Sequence, residues 1–152
     1  MRNEIRAAAA WWGKQIEKKI NSEVQVQNFV SILENELEVK LLGHWYEDEP
    51  VRGSGYRAIL VDELQTDDLL LRVARTCNIP KKDFEDAMPR PVVMFIDPSR
   101  VCVKKLDSKG YEYAMVYVNG MDYSNVEARE RTPSPTPQNK LNNLPVQQTV
   151  MA

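Results

Sequence analysis

The chain has 152 residues, of which 43% are hydrophobic, and it carries a formal net charge of −2 at pH 7. This length and apolar content are sufficient for one domain with a real core. The near-neutral balance provides no overall field that would favour nucleic acid or an anionic membrane. No stretch reaches the roughly 18 apolar residues of a membrane span, so we expect a soluble chain without a membrane partner.

The two cysteines and the single histidine exclude the common metal sites. Cys77 and Cys102 lie in separate apolar segments, and one histidine, His44, cannot complete a Cys/His zinc set. We expect both thiols to be buried and free, as is usual in a reducing compartment. The sequence therefore predicts a cytoplasmic and nuclear protein that needs neither a metal ion nor another cofactor.

The first 42 residues predict two helices. Apolar residues recur at spacings of three and four from Ile5 to Ile20, and Trp11 falls beside this stripe, so we expect it to be partly exposed. A second helix starts at Ser22, which forms a predicted capping box with Gln25. Gly43 supplies the left-handed residue that ends this helix.

The middle of the chain predicts a strand and two further helices. Residues Tyr56–Val61 read as a strand, and Asp67 or Asp68 can cap a third helix that ends at Asn78. Pro80 opens a short fourth helix with the sequence PKKDFEDAM.

Three later segments predict the rest of a sheet. VVMFID, VCVKKL and YEYAMVYV are rich in β-branched and aromatic residues. Pro98 predicts a bend between the first two, and Gly110 predicts a hairpin turn between the last two. Because helices come first and strands follow, the expected fold class is α+β, with N-terminal helices packed on a small antiparallel β-sheet.

The composition changes after Gly120. Residues 121–152 are rich in Pro, Ser, Thr and Gln and offer few apolar side chains to offset chain entropy. We therefore expect one domain at 1–120 and a disordered tail at 121–152. Thr132, Ser134 and Thr136 each precede a proline, which makes them candidate phosphorylation sites where phosphate would add up to about −2 each.

The segment HWYEDEPVRGSGYR, residues 44–57, concentrates the chemically distinctive side chains. Catalysis is disfavoured because His44 has no G-x-S-x-G elbow near it and directly follows a helix stop, where capping or packing is expected. Phosphate binding is disfavoured because the glycine pair leads into a predicted strand. Glu47, Asp48 and Glu49 are consecutive, so their side chains diverge, and we expect a solvated acidic loop without calcium.

Two binding hypotheses remain for this segment. Aromatic and basic side chains could form a nucleic-acid surface, although no known RNA-module signature is present. Exposed aromatics beside arginine are also typical of a protein interface, while Trp45 could instead simply cover the core at a helix–sheet junction. The nucleic-acid surface would consist of Arg52, Arg57, Arg90, Arg100, Trp45, Tyr46 and Tyr56.

Two ordered motifs resemble the signatures of the BTG/Tob anti-proliferative family. The first signature is matched by His44, Trp45, Pro50, Gly53, Ser54, Gly55, Tyr56 and Arg57. The second is matched by Pro89, Ile96, Asp97, Pro98 and Val101. The N-terminal MRNEI and the two leading helices are also similar, so the resemblance covers roughly residues 1–118.

The resemblance implies a non-enzymatic adaptor. Domains of this family dock on the nuclease subunit of the main cytoplasmic deadenylase complex, and so promote shortening of poly(A) tails or restrain proliferation. The docking face implied by the resemblance holds Tyr56, Phe95, Asp97 and Pro98. To these we add His44, Trp45 and Arg100 as candidate partner-binding residues.

The chain departs from the family pattern at positions that bear on its partner. Phe95 stands where the family has tryptophan, while Arg100 and Pro91 stand where it has glutamate. An aromatic anchor can contribute about 2 kcal/mol or more, and a charge reversal can cost as much. Two hypotheses therefore stay open: a deadenylase adaptor with an altered contact, or a post-transcriptional regulator that self-associates or binds RNA.

Overall fold

A computed structural model describes residues 1–107 and 109–125, without the side chains of Leu106 and Asp107. Helices occupy the first half of this part and strands dominate the second. The elements are α1 (Arg2–Ile16), α2 (Glu23–Leu41), α3 (Ser54–Arg57), β1 (Ile59–Val61), α4 (Asp68–Thr76), α5 (Lys81–Ala87), β2 (Val92–Asp97), β3 (Arg100–Asp107), β4 (Gly110–Val118) and β5 (Met121–Asp122).

The strands form one antiparallel sheet in the order β1-β2-β3-β4-β5. Alternation along β2 points Val92, Met94 and Ile96 into the core, and the residues between them face the other side. A bulge in the β3–β4 pairing turns both Val116 and Tyr117 into the core. The predicted α+β class with an antiparallel sheet is confirmed.

Helix α1 lies between the sheet and the other helices, because it contacts β2, β3 and β4 on one side and α2 and α5 on the other. The alanine run Ala7–Ala9 is fully buried and permits this close approach from both sides. The predicted partial exposure of Trp11 is wrong: its side chain is 1% exposed. An amphipathic pattern describes a helix with one covered face, whereas this helix is covered almost all round.

Helix α2 begins and ends where the sequence indicates. The Ser22 hydroxyl accepts a hydrogen bond from the Gln25 N–H at 3.2 Å, and Gly43 adopts a φ of 82° after the last turn. The reciprocal half of the predicted capping box is absent among the described hydrogen bonds. The Gln25 amide donates instead to the carbonyls of Cys77 and Asn78, and so joins α2 to the end of α4.

The remaining boundaries follow local signals. Asp67 caps α4 by accepting from Leu69 N at 2.8 Å, and Asn78 takes a φ of 60° just past its end. Gly110 has the expected positive φ, 118°. Strand β5 continues the sheet beyond the domain end predicted at residue 120. The rest of the predicted tail, with Thr132, Ser134 and Thr136, lies outside the described residues.

Both cysteines are buried and free, as predicted. Burial raises the pKa of the Cys102 thiol above its ordinary value, and the nearby positive charge of Arg100 offsets this only in part. In the part of the chain that the structure covers, no three His, Cys, Asp or Glu side chains gather as metal ligands. No helix of residues 1–107 or 109–125 has the length and apolar character to cross a bilayer.

Candidate partner-binding site

The first signature segment folds back on itself directly after α2. The backbone N–H of His44 donates to the carbonyl of Leu41 at 2.9 Å, which closes the end of the helix. The imidazole of His44 stacks on the ring of Tyr56, with centroids 4.1 Å apart and planes 26° apart. The packing role expected for His44 is therefore present, and the stacking restricts the orientation of the Tyr56 ring.

The glycines of the segment produce a single helical turn. Gly53 has a φ of 75°, and an added Cβ would lie 3.1 Å from Arg57 Nη1 and 3.3 Å from the Tyr46 ring. The turn Ser54–Arg57 that follows corrects two predictions: the strand begins at Ile59 rather than at Tyr56, and the glycines lead into α3. One helical turn sends Arg57 inward and leaves Tyr56 outside, with 50% of its side chain exposed.

Arg57 is the centre of the site. Its side chain is fully buried, and all five of its N–H donors find acceptors. Nε donates to the carbonyl of Ile96 at 2.7 Å, and Nη2 donates to Asp97 Oδ1 at 2.8 Å. The remaining donors bind the carbonyls of Pro50, His44 and Arg52, at 2.8, 2.8 and 2.6 Å.

These bonds join the two signatures. The acceptors from His44, Pro50 and Arg52 belong to the first segment, whereas Ile96 and Asp97 belong to the second, about forty positions further on. A planar guanidinium can hold this many acceptors in fixed directions, and hydrogen bonds to a charged group are about twice as strong as neutral ones. We call this set of bonds the arginine junction. It makes the two motifs a single structural unit.

The turn after Asp97 is held from the N-terminus of the chain. Pro98 is buried and Ser99 has a φ of 70°, so the bend predicted at Pro98 is confirmed and takes the form of a tight β2–β3 turn. Ser99 N donates to Glu4 Oε2 at 2.8 Å, and Glu4 also pairs with the terminal amino group at 3.1 Å. The start of α1 thus fixes the turn beside Asp97.

Trp45 fits the hypothesis in which it covers the core. Its partly buried ring packs against the core cluster and lies 5.4 Å from the Arg57 guanidinium carbon, within cation–π range. Its indole N–H donates to Glu47 Oε2 at 3.3 Å. Trp45 therefore shields the arginine junction from water, which strengthens the hydrogen bonds beneath it.

Phe95 and Arg100 lie on the face of the sheet opposite the helices. Phe95 is half-buried, between Val93 and Asp97 on the same side of β2, and is paired across to Cys102. Arg100 is exposed and pairs with Asp97 in the strand register. Tyr56 directly precedes Arg57 in the chain, whereas Phe95 and Arg100 flank Asp97 on β2 and β3. We use the name signature patch for Tyr56, Phe95 and Arg100, the three residues with exposed surface that adjoin the two ends of the arginine junction.

Two arginines of the hypothesised nucleic-acid surface are held by acceptors within the protein. Arg57 is buried and saturated, so it cannot reach a phosphate. Arg90 donates to Asp62 O at 2.8 Å and to Thr66 Oγ1 at 2.6 Å. Sequence reasoning treated these arginines as surface cations because nothing in their local pattern indicates the distant acceptors that hold them.

The structure also places residues that the sequence did not single out. Glu4 reaches Ser99 across ninety-five positions, and Leu60 stands next to Val93 on the outer side of the sheet. The only local signal for the first contact is an acidic residue in the first turn of α1, which usually indicates a favourable helix N-terminus and no more.

Comparisons with known proteins agree with this architecture. A model described as BTG family matches residues 1–116. A BTG family protein of Dictyostelium discoideum is 34% identical over 122 residues, which cover 78% of this chain and 28% of that protein. Protein BTG3 of Mus musculus is 30% identical over 107 residues, covering 68% and 41%. Protein BTG1 of Homo sapiens is 29% identical over 102 residues, covering 66% and 59%.

A solved structure shares the fold. The BTG/Tob domain of FOG-3 from C. elegans, determined as a double variant, matches with a TM-score of 0.68 at 21% sequence identity, covering 79% of this chain and 92% of that one. Helices in front of a five-stranded antiparallel sheet define a small α+β domain of the BTG/Tob class. The chain belongs to the BTG family, an anti-proliferative family, through residues 1–116. It spans between 28% and 59% of the length of these three curated relatives.

Proposed function

We propose that this protein is a non-enzymatic adaptor that docks through the signature patch on the nuclease subunit of a deadenylase complex. In this role it links the complex to messages or to transcription regulators, in the cytoplasm and in the nucleus, and so controls message turnover and restrains proliferation or directs cell fate. Membership of the BTG family supports the class of function. The docking partner is inferred from the family signatures.

The observation that carries the proposal is the bond between Arg57 Nη2 and Asp97 Oδ1 at 2.8 Å. It locks the end of the first signature to the end of β2, so that Tyr56 and Phe95 emerge from one rigid support. A preorganised aromatic pair loses little conformational entropy on binding. Aromatic residues and arginine are the side chains enriched at the energetic centres of protein interfaces.

The arginine junction also divides the signature residues by role. Asp97 and Pro98 are largely buried, and Asp97 accepts from Arg57, so these two residues position the patch. Tyr56 and Phe95 keep exposed surface and are the contact residues of the proposal. His44 supports Tyr56 by stacking, and Trp45 covers Arg57.

The departures from the family differ in how close they lie to this patch. Phe95 and Arg100 belong to it, and they alter the size of one aromatic contact and the sign of one charge. Pro91 precedes β2 and lies six residues from Asp97, about 20 Å away along an extended strand. We therefore expect the substitutions at Phe95 and Arg100 to weaken docking and the one at Pro91 to matter little.

The test is a calorimetric titration of the purified chain with the nuclease subunit. We expect binding of the wild type and a loss of about 30-fold or more in Phe95→Ala, because truncation of an aromatic anchor costs about 2 kcal/mol. Tyr113→Ala is the matched control, since it removes an exposed aromatic ring from the same sheet outside the patch. No binding of the folded wild type at micromolar concentration would exclude the proposal.

A second pair of variants restores the family residues. Phe95→Trp and Arg100→Glu should each tighten binding, the first through a larger buried aromatic area and the second through the reversed charge. A change in the dependence of the association rate on salt is expected only for Arg100→Glu. Unchanged affinity in both variants would mean that the signature patch does not meet this partner.

A further inference from the structure

The outer face of the sheet carries an ordered row of side chains at the end away from the arginine junction. Leu60 pairs with Val93, Val93 with Lys104, and Lys104 with Tyr113, one residue from each of β1 to β4. Tyr111 lies two residues before Tyr113 and therefore points to the same side. We use the name tyrosine platform for Lys104, Tyr111 and Tyr113.

The two tyrosines are not part of the core. Their side chains are 64% and 52% exposed, whereas Ala114 and Val116 of the same strand are buried on the helix side. Two residues along a strand are about 7 Å apart, so the rings stand side by side without covering each other. More than half of each side chain is therefore accessible to a ligand.

Lys104 places a positive charge against both rings. Its Nζ lies 4.1 Å from the ring centroid of Tyr111 and 5.7 Å from that of Tyr113. Arg100 is exposed on the same face two rows away, and the acid opposite it, Asp97, is paired with buried Arg57. The outer face is thus locally cationic, although the whole chain has a net charge of −2.

We propose that the tyrosine platform binds single-stranded RNA, with bases stacked on Tyr111 and Tyr113 and a phosphate held by Lys104. Exposed aromatic rings interleaved with a cation are the side-chain chemistry that non-specific single-strand binders use. An acidic peptide would engage Lys104 but would leave the two rings without a matching surface. The choice of RNA as the strand rests on the proposed function, in which the adaptor acts on messages.

The platform and the signature patch are separate. Val93 in the platform row and Asp97 in the arginine junction lie four residues apart on β2, about 13 Å along the strand. A bound strand can therefore occupy one end of the outer face while a protein partner occupies the other. One small domain would then hold a message close to the enzyme that shortens its tail.

The test is fluorescence anisotropy of the full chain with a labelled oligouridine of about ten nucleotides, within the span that one such platform covers. We expect binding at low salt and a loss of about tenfold or more in the double variant Tyr111→Ala/Tyr113→Ala. Tyr111→Phe/Tyr113→Phe keeps the rings and should bind as the wild type does. Lys104→Ala should reduce the slope of log affinity against log salt by about 0.7.

Tyr56→Ala is the matched control, because it removes a tyrosine of similar exposure from the signature patch. It should keep RNA binding and lose nuclease binding, while the platform variant should do the opposite, so the two proposals fail independently. Loss of RNA affinity in the Phe double variant, or equal competition by polyglutamate, would overturn the platform. So would the absence of RNA binding by the folded wild type at low salt.

Discussion

The arginine junction and the helical layer, by which we mean α1 packed against α2, bury polar groups in opposite ways. In the junction, a fully buried guanidinium makes five hydrogen bonds and leaves no donor unused. In the helical layer, the indole N–H groups of Trp11 and Trp12 are buried without an acceptor among the described residues, and the two rings pack edge to face at 4.9 Å. The stability of the arginine junction depends on directed hydrogen bonds, whereas that of the helical layer depends on buried apolar area and complementary packing.

This difference predicts how each region responds to change. Removing one member of a saturated polar network leaves the others buried and unpaired, and the cost is that of desolvating them. A substitution in an apolar layer removes contact area or introduces a clash, and the neighbouring side chains can partly relax around it. We therefore expect a single substitution in the arginine junction to lower the free energy of unfolding more than a single substitution in the helical layer.

The largest effect is expected for Arg57→Met. This change keeps apolar volume but leaves Asp97 and several carbonyls buried without a donor, so we expect a loss of about 3–5 kcal/mol in the free energy of unfolding. Chemical denaturation measures it. Arg52→Met is the matched control, because its ion pair with Glu49 is exposed and should matter by about 1 kcal/mol or less. A loss below about 1 kcal/mol for Arg57→Met would contradict the comparison.

A pair of substitutions at Asp97 separates charge from hydrogen bonding. Asp97→Ala leaves an Arg57 N–H without an acceptor, which should cost about 2–3 kcal/mol. Asp97→Asn retains the accepting oxygen and should cost about half as much, with nuclease binding preserved once the protein is folded. If Asn abolished binding without loss of stability, Asp97 would be a direct contact rather than a positioning residue.

The helical layer is tested at Gly13, where α1 meets α2. An added Cβ would lie 2.5 Å from Val30 Cγ2, so Gly13→Ala should cost about 1–2 kcal/mol despite the better helix propensity of alanine. Combining it with Val30→Ala should recover part of the loss, as measured by a double-mutant cycle. Additive effects of the two substitutions would mean that this contact is not tight.

The smallest effect is expected for Trp12→Phe. The smaller ring loses buried area, but an indole N–H without a described acceptor is removed as well, and the two changes oppose each other. We expect a net change of about 1 kcal/mol or less in the free energy of unfolding. A loss as large as that of Arg57→Met would show that the indole has a bonded partner and that the two regions are alike.

Local signals were sufficient for much of the fold. The apolar period of α2, the Ser22 cap and the Gly43 stop act within a few residues, and the structure confirms each. Asp67 and the Pro98 bend belong to the same class. Two signatures at a fixed separation were also enough to indicate the family, because their residue types are specific in combination.

Other features depend on partners far along the chain. The side chain of Gln25 was expected to close its own helix end and instead bonds to the end of α4, and Trp11 was expected at the surface and lies between two layers. The start of β1 was expected at Tyr56, yet Tyr56 and Arg57 belong to the helical turn α3, from which Arg57 donates to Ile96 and Asp97.

The sequence by itself determined most of the helices and strands and the family that their motifs match, because periodicity, caps and turns are set by neighbouring residues. The tertiary structure alone decided that Arg57 is a buried connector, that Asp97 is its acidic partner, and that Lys104 lies against two exposed tyrosines. Burial and saturation of polar groups depend on acceptors supplied by other elements, and a pattern of three or four residues contains no information about them.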